Sequence, residues 1–413
     1  MFVKISITIL CVVIFFFQEL QCSNDPDICD SFESIVKRYG YQMENITVQT
    51  DDGYILQNFR ISRVGTNMQN ITGPPLVIWH AFDRNARCFV VNEKDSLGIL
   101  TTTSALHFSC SYFVAFYYAD AGYDVWLPNV RGTVFSSHIS LTPNDAEYWD
   151  FSYGKIGKND VKAVVEMIVE KTGQKLITMG HSLGTSALFV YASAYPEDAS
   201  KNLKGIIAHA PAINLYHTKT IYLSILSNIP DLVRTNFGLF KINYIDSSLE
   251  TACQYKLVEP FCELLINSLF GKSDNINLKY SLPKFTGRGN EPISSQVFIN
   301  YLQMIQQKGY FADYSYGPLK NLQVYGKINP PAFNLKNINI RVDIFCGIND
   351  YVCSCEDAKT TFNMLETEKS YTILPNNSGC HGKVAHLDLF MCSNMKHCVF
   401  DPIDNILANY INL

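Results

Sequence analysis

A chain of 413 residues, 47% hydrophobic and 17% charged, has an ordinary globular composition and can bury one large core or a core with an inserted unit. A formal net charge of −5 leaves no electrostatic footprint for nucleic acid.

The chain begins "MFVKISITILCVVIFFFQELQCS", with a basic start at Lys4, an apolar run from Ile5 to Phe17 and a small-residue exit near Cys22 and Ser23. The run is short for a bilayer span, so residues 1–23 read as a cleaved signal peptide; the alternative is an uncleaved anchor. Secretion predicts disulfides and glycans. Two of the thirteen cysteines, Cys11 and Cys22, fall in the signal, so the mature chain keeps an odd number and at least one thiol outside an internal bridge. The sequons at Asn45, Asn70 and Asn376 fit glycosylated surface loops.

"ENITVQTDDGYILQNFRIS" alternates apolar and polar residues about Asp52-Gly53, the pattern of an antiparallel hairpin. "PPLVIWHAF" and "AGYDVWLPNVRG" each contain a short apolar strand. "DVKAVVEMIVEKTG" has helical spacing with acid at its start and glycine at its end. "KLITMG" reads as a strand, "GTSALFVYASAYPE" as a helix and "KGIIAHAP" as a strand, so a mainly parallel α/β sheet is expected. From about Ile213 to Lys336 helical patterns such as "IYLSILSNIPDLVRTNFGLF" replace the alternation, and "IRVDIFCGIND" and "KSYTILPN" then restore strands. The expected division is a core over 24–212, a helical insertion over 213–336 and the rest of the core over 337–413.

Gly180-His181-Ser182-Leu183-Gly184 lies between the strand and the helix that follows. A serine on so sharp a turn takes strained backbone, and bulk two residues to either side would clash. The following helix sets its N-terminal dipole beneath a developing oxyanion. In this arrangement an acid and then a histidine follow the nucleophile in the chain. Asp350 stands at the C-terminal edge of "VDIFCGIND", and His386 lies in "KVAHLDLF" beyond the next strand. The expected roles are Ser182 as nucleophile, His386 as base, and Asp350 holding the imidazole. The plain alternative for Asp350 is a turn residue closing its strand.

With these residues in place the chain resembles the acid lipases, the gastric and lysosomal enzymes and their insect relatives. The likeness runs through "YGYQMENITVQTDDGYILQNFRI", "ADAGYDVWLPNVRG", "YWDFSYGKIGKND", "GHSLG", "GINDYV" and "HLDLF", and "DYSYGPLKNLQVYGKINPPAFNL" is similar to the insect members. The resemblance implies an α/β-hydrolase with a helical cap over a lipid-binding cleft, cleaving triacylglycerols or sterol esters with no cofactor. It also implies a cap disulfide between Cys253 and Cys262; otherwise these are two unrelated thiols.

Two departures stand out. The family's His-Gly-Leu oxyanion loop here reads His80-Ala81-Phe82. The expected oxyanion donors, the backbone N–H groups of Phe82 and Leu183, survive side-chain changes, and the loss of glycine matters only if residue 81 needs positive φ. Between "DSLG" and "ADAGYDVW" this chain carries an extension, Ile99 to Tyr118: a lengthened helix, a membrane-touching loop or an in-frame unspliced intron. The reading is a secreted or lysosomal serine hydrolase of neutral lipid esters acting at a lipid–water interface, with no nucleic-acid or stable protein partner. The alternative is an impaired lipid carrier. A metal enzyme built on Cys353, Cys355, Cys380, His381, Cys392, His397 and Cys398 is disfavoured, because C-x-C lacks the usual zinc spacing and an oxidising compartment favours disulfides.

Overall fold

The computed structural model describes residues 26–91, 113–237, 241–242, 253, 257–276, 278, 291–376, 380 and 382–411. The expected signal peptide and most of the Ile99–Tyr118 extension lie outside them.

Helix α1 (Phe32–Arg38) leads into a hairpin of β1 (Tyr41–Gln49) and β2 (Tyr54–Arg63), paired antiparallel from Tyr41↔Arg63 to Gln49↔Ile55. β1 is an edge strand with one wet face. Asn45, expected in a loop, therefore sits within the strand, exposed, with its amide donating to Gln57 at 3.0 Å.

The apolar runs become strands buried along their whole length: β3 (Pro75–Trp79), β4 (Asp124–Pro128) and β6 (Leu176–His181), with β5 (Ser136–His138) a short arm on β2. Continuous apolar runs are what a sheet covered on both faces requires. Helix α2 (Val114–Asp120) precedes β4, and α3 (Lys162–Thr172) precedes β6, stopping at Gly173 in the left-handed region. α4 (Leu183–Ala194) follows β6, buried at every residue but the last. α5 (Pro196–Asn202) leads to β7 (Leu203–His209).

Between β7 and the next core strand the described residues are mainly helical. They comprise α6 (Ile221–Leu226), α7 (Pro230–Phe237), α8 (Glu259–Phe270), α9 (Ser295–Gln306) and α10 (Pro318–Tyr325), with a two-stranded ladder of β8 (Lys241–Ile242) and β9 (Ile293–Ser294). The helical pattern of "IYLSILSNIPDLVRTNFGLF" forms two helices, α6 and α7, with Pro230 at the start of α7. β10 (Arg341–Gly347), α11 (Cys355–Met364), β11 (Lys369–Leu374) and α12 (Asp401–Ile411) complete the core. The strand order is β1-β2-β4-β3-β6-β7-β10-β11, parallel from β4 to β11.

Two features fix the parts beside the site. Arg131, in the loop after β4, is buried between Asp160 (Nε to Oδ1, 2.8 Å) and Asp52 (2.7 Å), with its guanidinium 4.0 Å from the Tyr54 ring centroid. Removing one partner of so buried a cation costs about 3–5 kcal/mol, so the loop is firmly held. In α2, Phe116 stacks on Tyr41 at 4.1 Å and Tyr117 on Phe400 at 4.0 Å. Residues 113–118, the end of the Ile99–Tyr118 extension, thus belong to the core; the rest of it is not described.

Candidate active site

The C-terminal ends of β3, β6, β10 and β11 deliver the candidate residues to one edge of the sheet, where open α/β sheets place their sites. Ser182 joins β6 to α4 with φ 52° and ψ −112°, a strained conformation for a residue with a side chain. Its N–H donates to the His209 carbonyl of β7 at 3.0 Å. The flanking glycines allow the turn. A Cβ on Gly180 would meet the Gly184 carbonyl carbon at 2.8 Å, and one on Gly184 would meet the Trp79 oxygen at 2.7 Å.

Asp350 lies three residues beyond the end of β10, in the turn that follows. One carboxylate oxygen accepts the Val352 and Cys353 N–H groups, both at 2.8 Å, and the other accepts Nδ1–H of His386 at 2.7 Å. This bond leaves Nε2 of His386 as the basic nitrogen. Ser182 and His386 line one cavity, partly open to solvent and walled by apolar residues that include Leu215, Leu223, Leu269 and Phe298. Both Asp350 oxygens are occupied by donors, so the arrangement suits proton transfer to and from a serine, not a metal cage.

Ala81 is not among the residues with positive φ; that conformation falls on Asp83, at 56°. The missing family glycine therefore imposes no backbone strain at 81. Among the described residues, neither the Phe82 nor the Leu183 N–H is spent on a turn or loop hydrogen bond. The loop is anchored by His80, whose Nε2 accepts the Val130 N–H at 3.2 Å. Burial pushes His80 and His209 down to about 4 and His181 well below its ordinary value, so all three are neutral near pH 7. His181, which donates from Nε2 to the His386 carbonyl at 3.0 Å, supports the backbone behind the site.

Sequence reasoning missed Asp83, Arg84 and Glu291, and weighed Cys353 only as a metal ligand. Asp83 and Arg84, paired at 3.3 Å, line the same cavity, and burial raises Asp83 to about 6. Glu291 accepts from the Asn85 amide and from Val134 N–H (3.0 Å), its own N–H donates to the Asp83 carbonyl (2.9 Å), and burial raises it to about 7. Cys353 is a buried thiol, raised well above its usual value by burial, and interacts with the Ser182 hydroxyl. The Asp83-Arg84 pair stands in plain view after "WHAF"; nothing in the sequence points to Glu291.

Disulfides join Cys253–Cys262, Cys346–Cys355 and Cys380–Cys398, Cys29 is also disulfide-bonded, and Cys88 and Cys353 are thiols. These bridges fit an extracellular or lysosomal protein. They consume three of the cysteines weighed as metal ligands; His381 lies outside the described residues, and His397 is exposed, bonded to Asp401 at 2.7 Å. No helix of the described residues is long and apolar enough to cross a membrane.

Sheet order and the turn at Ser182 together define an α/β-hydrolase. Comparison with known proteins agrees: residues 32–93 match the partial alpha/beta-hydrolase lipase region and residues 103–241 the alpha/beta hydrolase fold. Gastric triacylglycerol lipase of Rattus norvegicus is 30% identical over 343 residues, covering 81% of this chain and 82% of that protein. Lipase member K of Mus musculus is 27% identical over 377 residues, 89% of this chain and 88% of that one. A soluble variant of monoglyceride lipase from Saccharomyces cerevisiae, solved with a substrate analog, shares the fold at a TM-score of 0.51 and 15% identity, covering 89% and 94% of the two chains. The chain belongs to the acid-lipase family and is a carboxylic ester hydrolase of the lipase class.

Proposed function

We propose that this protein is a serine hydrolase of neutral lipid esters, triacylglycerol or sterol ester, working through an acyl-enzyme. The observation that carries the reading is the strained Ser182 lining an apolar cavity that it shares with His386, itself bonded to Asp350. Ser182 Oγ attacks the ester carbonyl while Nε2 of His386 takes its proton. The Phe82 and Leu183 N–H groups receive the oxyanion, and the imidazolium, steadied by Asp350, returns the proton to the departing alcohol. Water then repeats the sequence and releases the fatty acid. No cofactor enters.

Residues 213–336 act as the cap. Their exposed apolar side chains, among them Ile221, Ile225, Leu257, Phe261 and Leu264, suit contact with a lipid surface. Residues 1–23 direct secretion or lysosomal delivery, and Asn45, Asn70 and Asn376, all exposed, carry glycans. The ordinary backbone at Ala81 weakens the case for an impaired carrier. Labelling of the signal-cleaved protein with a fluorophosphonate tests the reading. Capture by the wild type and its loss in Ser182→Ala are expected, whereas folded wild-type protein that resists capture overturns it.

A further inference from the structure

Asp350 and His386 sit on different loops, after β10 and after β11, yet must keep a 2.7 Å bond. One cap segment grips both loops. At the end of α8 the Phe270 carbonyl accepts the N–H of His386 (3.2 Å) and the N–H of Tyr351 (3.4 Å), next to Asp350. The Lys272 carbonyl accepts the Asn349 side-chain amide at 2.8 Å. Between them Gly271, at φ 91°, runs so close that a Cβ would lie 2.0 Å from the Asn349 oxygen. Asp274 and Lys383 exchange two bonds, backbone N–H to Lys383 carbonyl at 3.0 Å and Lys383 N–H to carboxylate at 2.9 Å.

The grip converges on Asp388, fully buried two residues past His386. Its oxygens accept the Ser273 hydroxyl (2.7 Å), the Ala385 N–H (2.8 Å) and a bond from the Asn275 side chain. The Ser273 oxygen meanwhile accepts the N–H groups of Asn275 (2.8 Å) and Ile276 (3.1 Å), so its proton is left to point at Asp388. Each of these donors is neutral. A buried carboxylate without a cation is costly, and an apolar residue would fill the same space more cheaply, which argues for a task beyond packing.

We propose that Asp388 is the positioning residue of His386, tying the histidine's loop to Phe270–Asn275 so that seating of the cap sets the His386–Asp350 geometry. The inference rests on the serine-hydrolase reading above. An asparagine at 388 offers one acceptor where the carboxylate offers two, and Ser273→Ala removes one of the two cap side chains that donate to Asp388 while leaving Asp388 in place.

The test uses the signal-cleaved chain, p-nitrophenyl butyrate kinetics and the low-field proton resonance of His386 Nδ1–H. Asp388→Asn is expected to lower kcat at least tenfold with KM within about twofold, and Ser273→Ala to lower it about three- to tenfold. The double variant should be no worse than Asp388→Asn, because both act through one link. The low-field resonance should shift in each variant. Folded variants with a lower Tm but unchanged kcat and resonance would make Asp388 merely structural and overturn the proposal. Should Asp388→Asn fail to fold, Ser273→Ala decides by the same readouts. A wild type inert toward the ester would count against the hydrolase reading, and the resonance would then decide the positioning role by itself.

Discussion

His209 offers a quantitative check on how the site tolerates acid. It ends β7 beside His181, its ring meeting Phe345 edge-on at 5.3 Å, and burial lowers it from 6.5 to about 4, partly opposed by a bond to the Leu389 backbone. The folded chain therefore refuses a proton that the unfolded chain accepts below pH 6.5. Stability is intact above pH 6.5 and is lost as pH falls toward 4. The full loss is about 3 kcal/mol, most of it already present at pH 4.5. His209→Leu removes this titration. Whatever the substitution costs through the lost Leu389 bond and repacking is the same at both pH values and cancels in the comparison. Urea unfolding of both proteins at pH 7.5 and 4.5, with disulfides intact, should show a fall in stability between the two pH values smaller by roughly 2 to 3 kcal/mol in the variant. Equal falls, within about 0.5 kcal/mol, would refute the claim that His209 is held neutral by burial. Asp83, Glu291 and Asp388 act with opposite sign. Burial raises them to about 6, 7 and 7, so their cost is complete above those values and is relieved as the pH drops. The buried carboxyls thus offset the buried histidines across the acidic range.

Two further outcomes follow from the loop and the rim. Ala81→Gly should leave kcat/KM for a soluble ester within about threefold, because residue 81 already takes ordinary backbone; a gain of 10² or more, the usual worth of one oxyanion donor, would show that the alanine displaces Phe82. Serines placed together at Leu257, Phe261 and Leu264, which are 96%, 59% and 67% exposed, should reduce turnover of emulsified triacylglycerol at least tenfold and spare p-nitrophenyl butyrate. Equal losses on both substrates would move the role of these side chains from lipid contact to folding.

The buried strands β3, β4, β6, β7 and β10 were legible as short apolar runs and the β1–β2 hairpin by its alternation, whereas the three polar residues of β5 gave no signal. The elbow was legible because its two glycines leave a mark that no other residue can replace. Asp350 and His386 were singled out through chain order and strand ends, and the structure bonds them to each other, with Asp350 three residues beyond its strand rather than closing it. What sequence concealed is contact across long separations. Glu291 reaches Asn85 over 206 residues and Ser273 reaches Asp388 over 115, with spacing that carries no period. The grip on the site is also largely a backbone property: the Phe270 carbonyl that receives both Tyr351 and His386 would do so with many different side chains at 270. Only Gly271 leaves a trace in composition, since its φ of 91° and its closeness to Asn349 exclude a Cβ. Side-chain motifs therefore reveal the groups that react more readily than the backbone that aligns them, and in this chain the Phe270 carbonyl holds the loops of both Asp350 and His386.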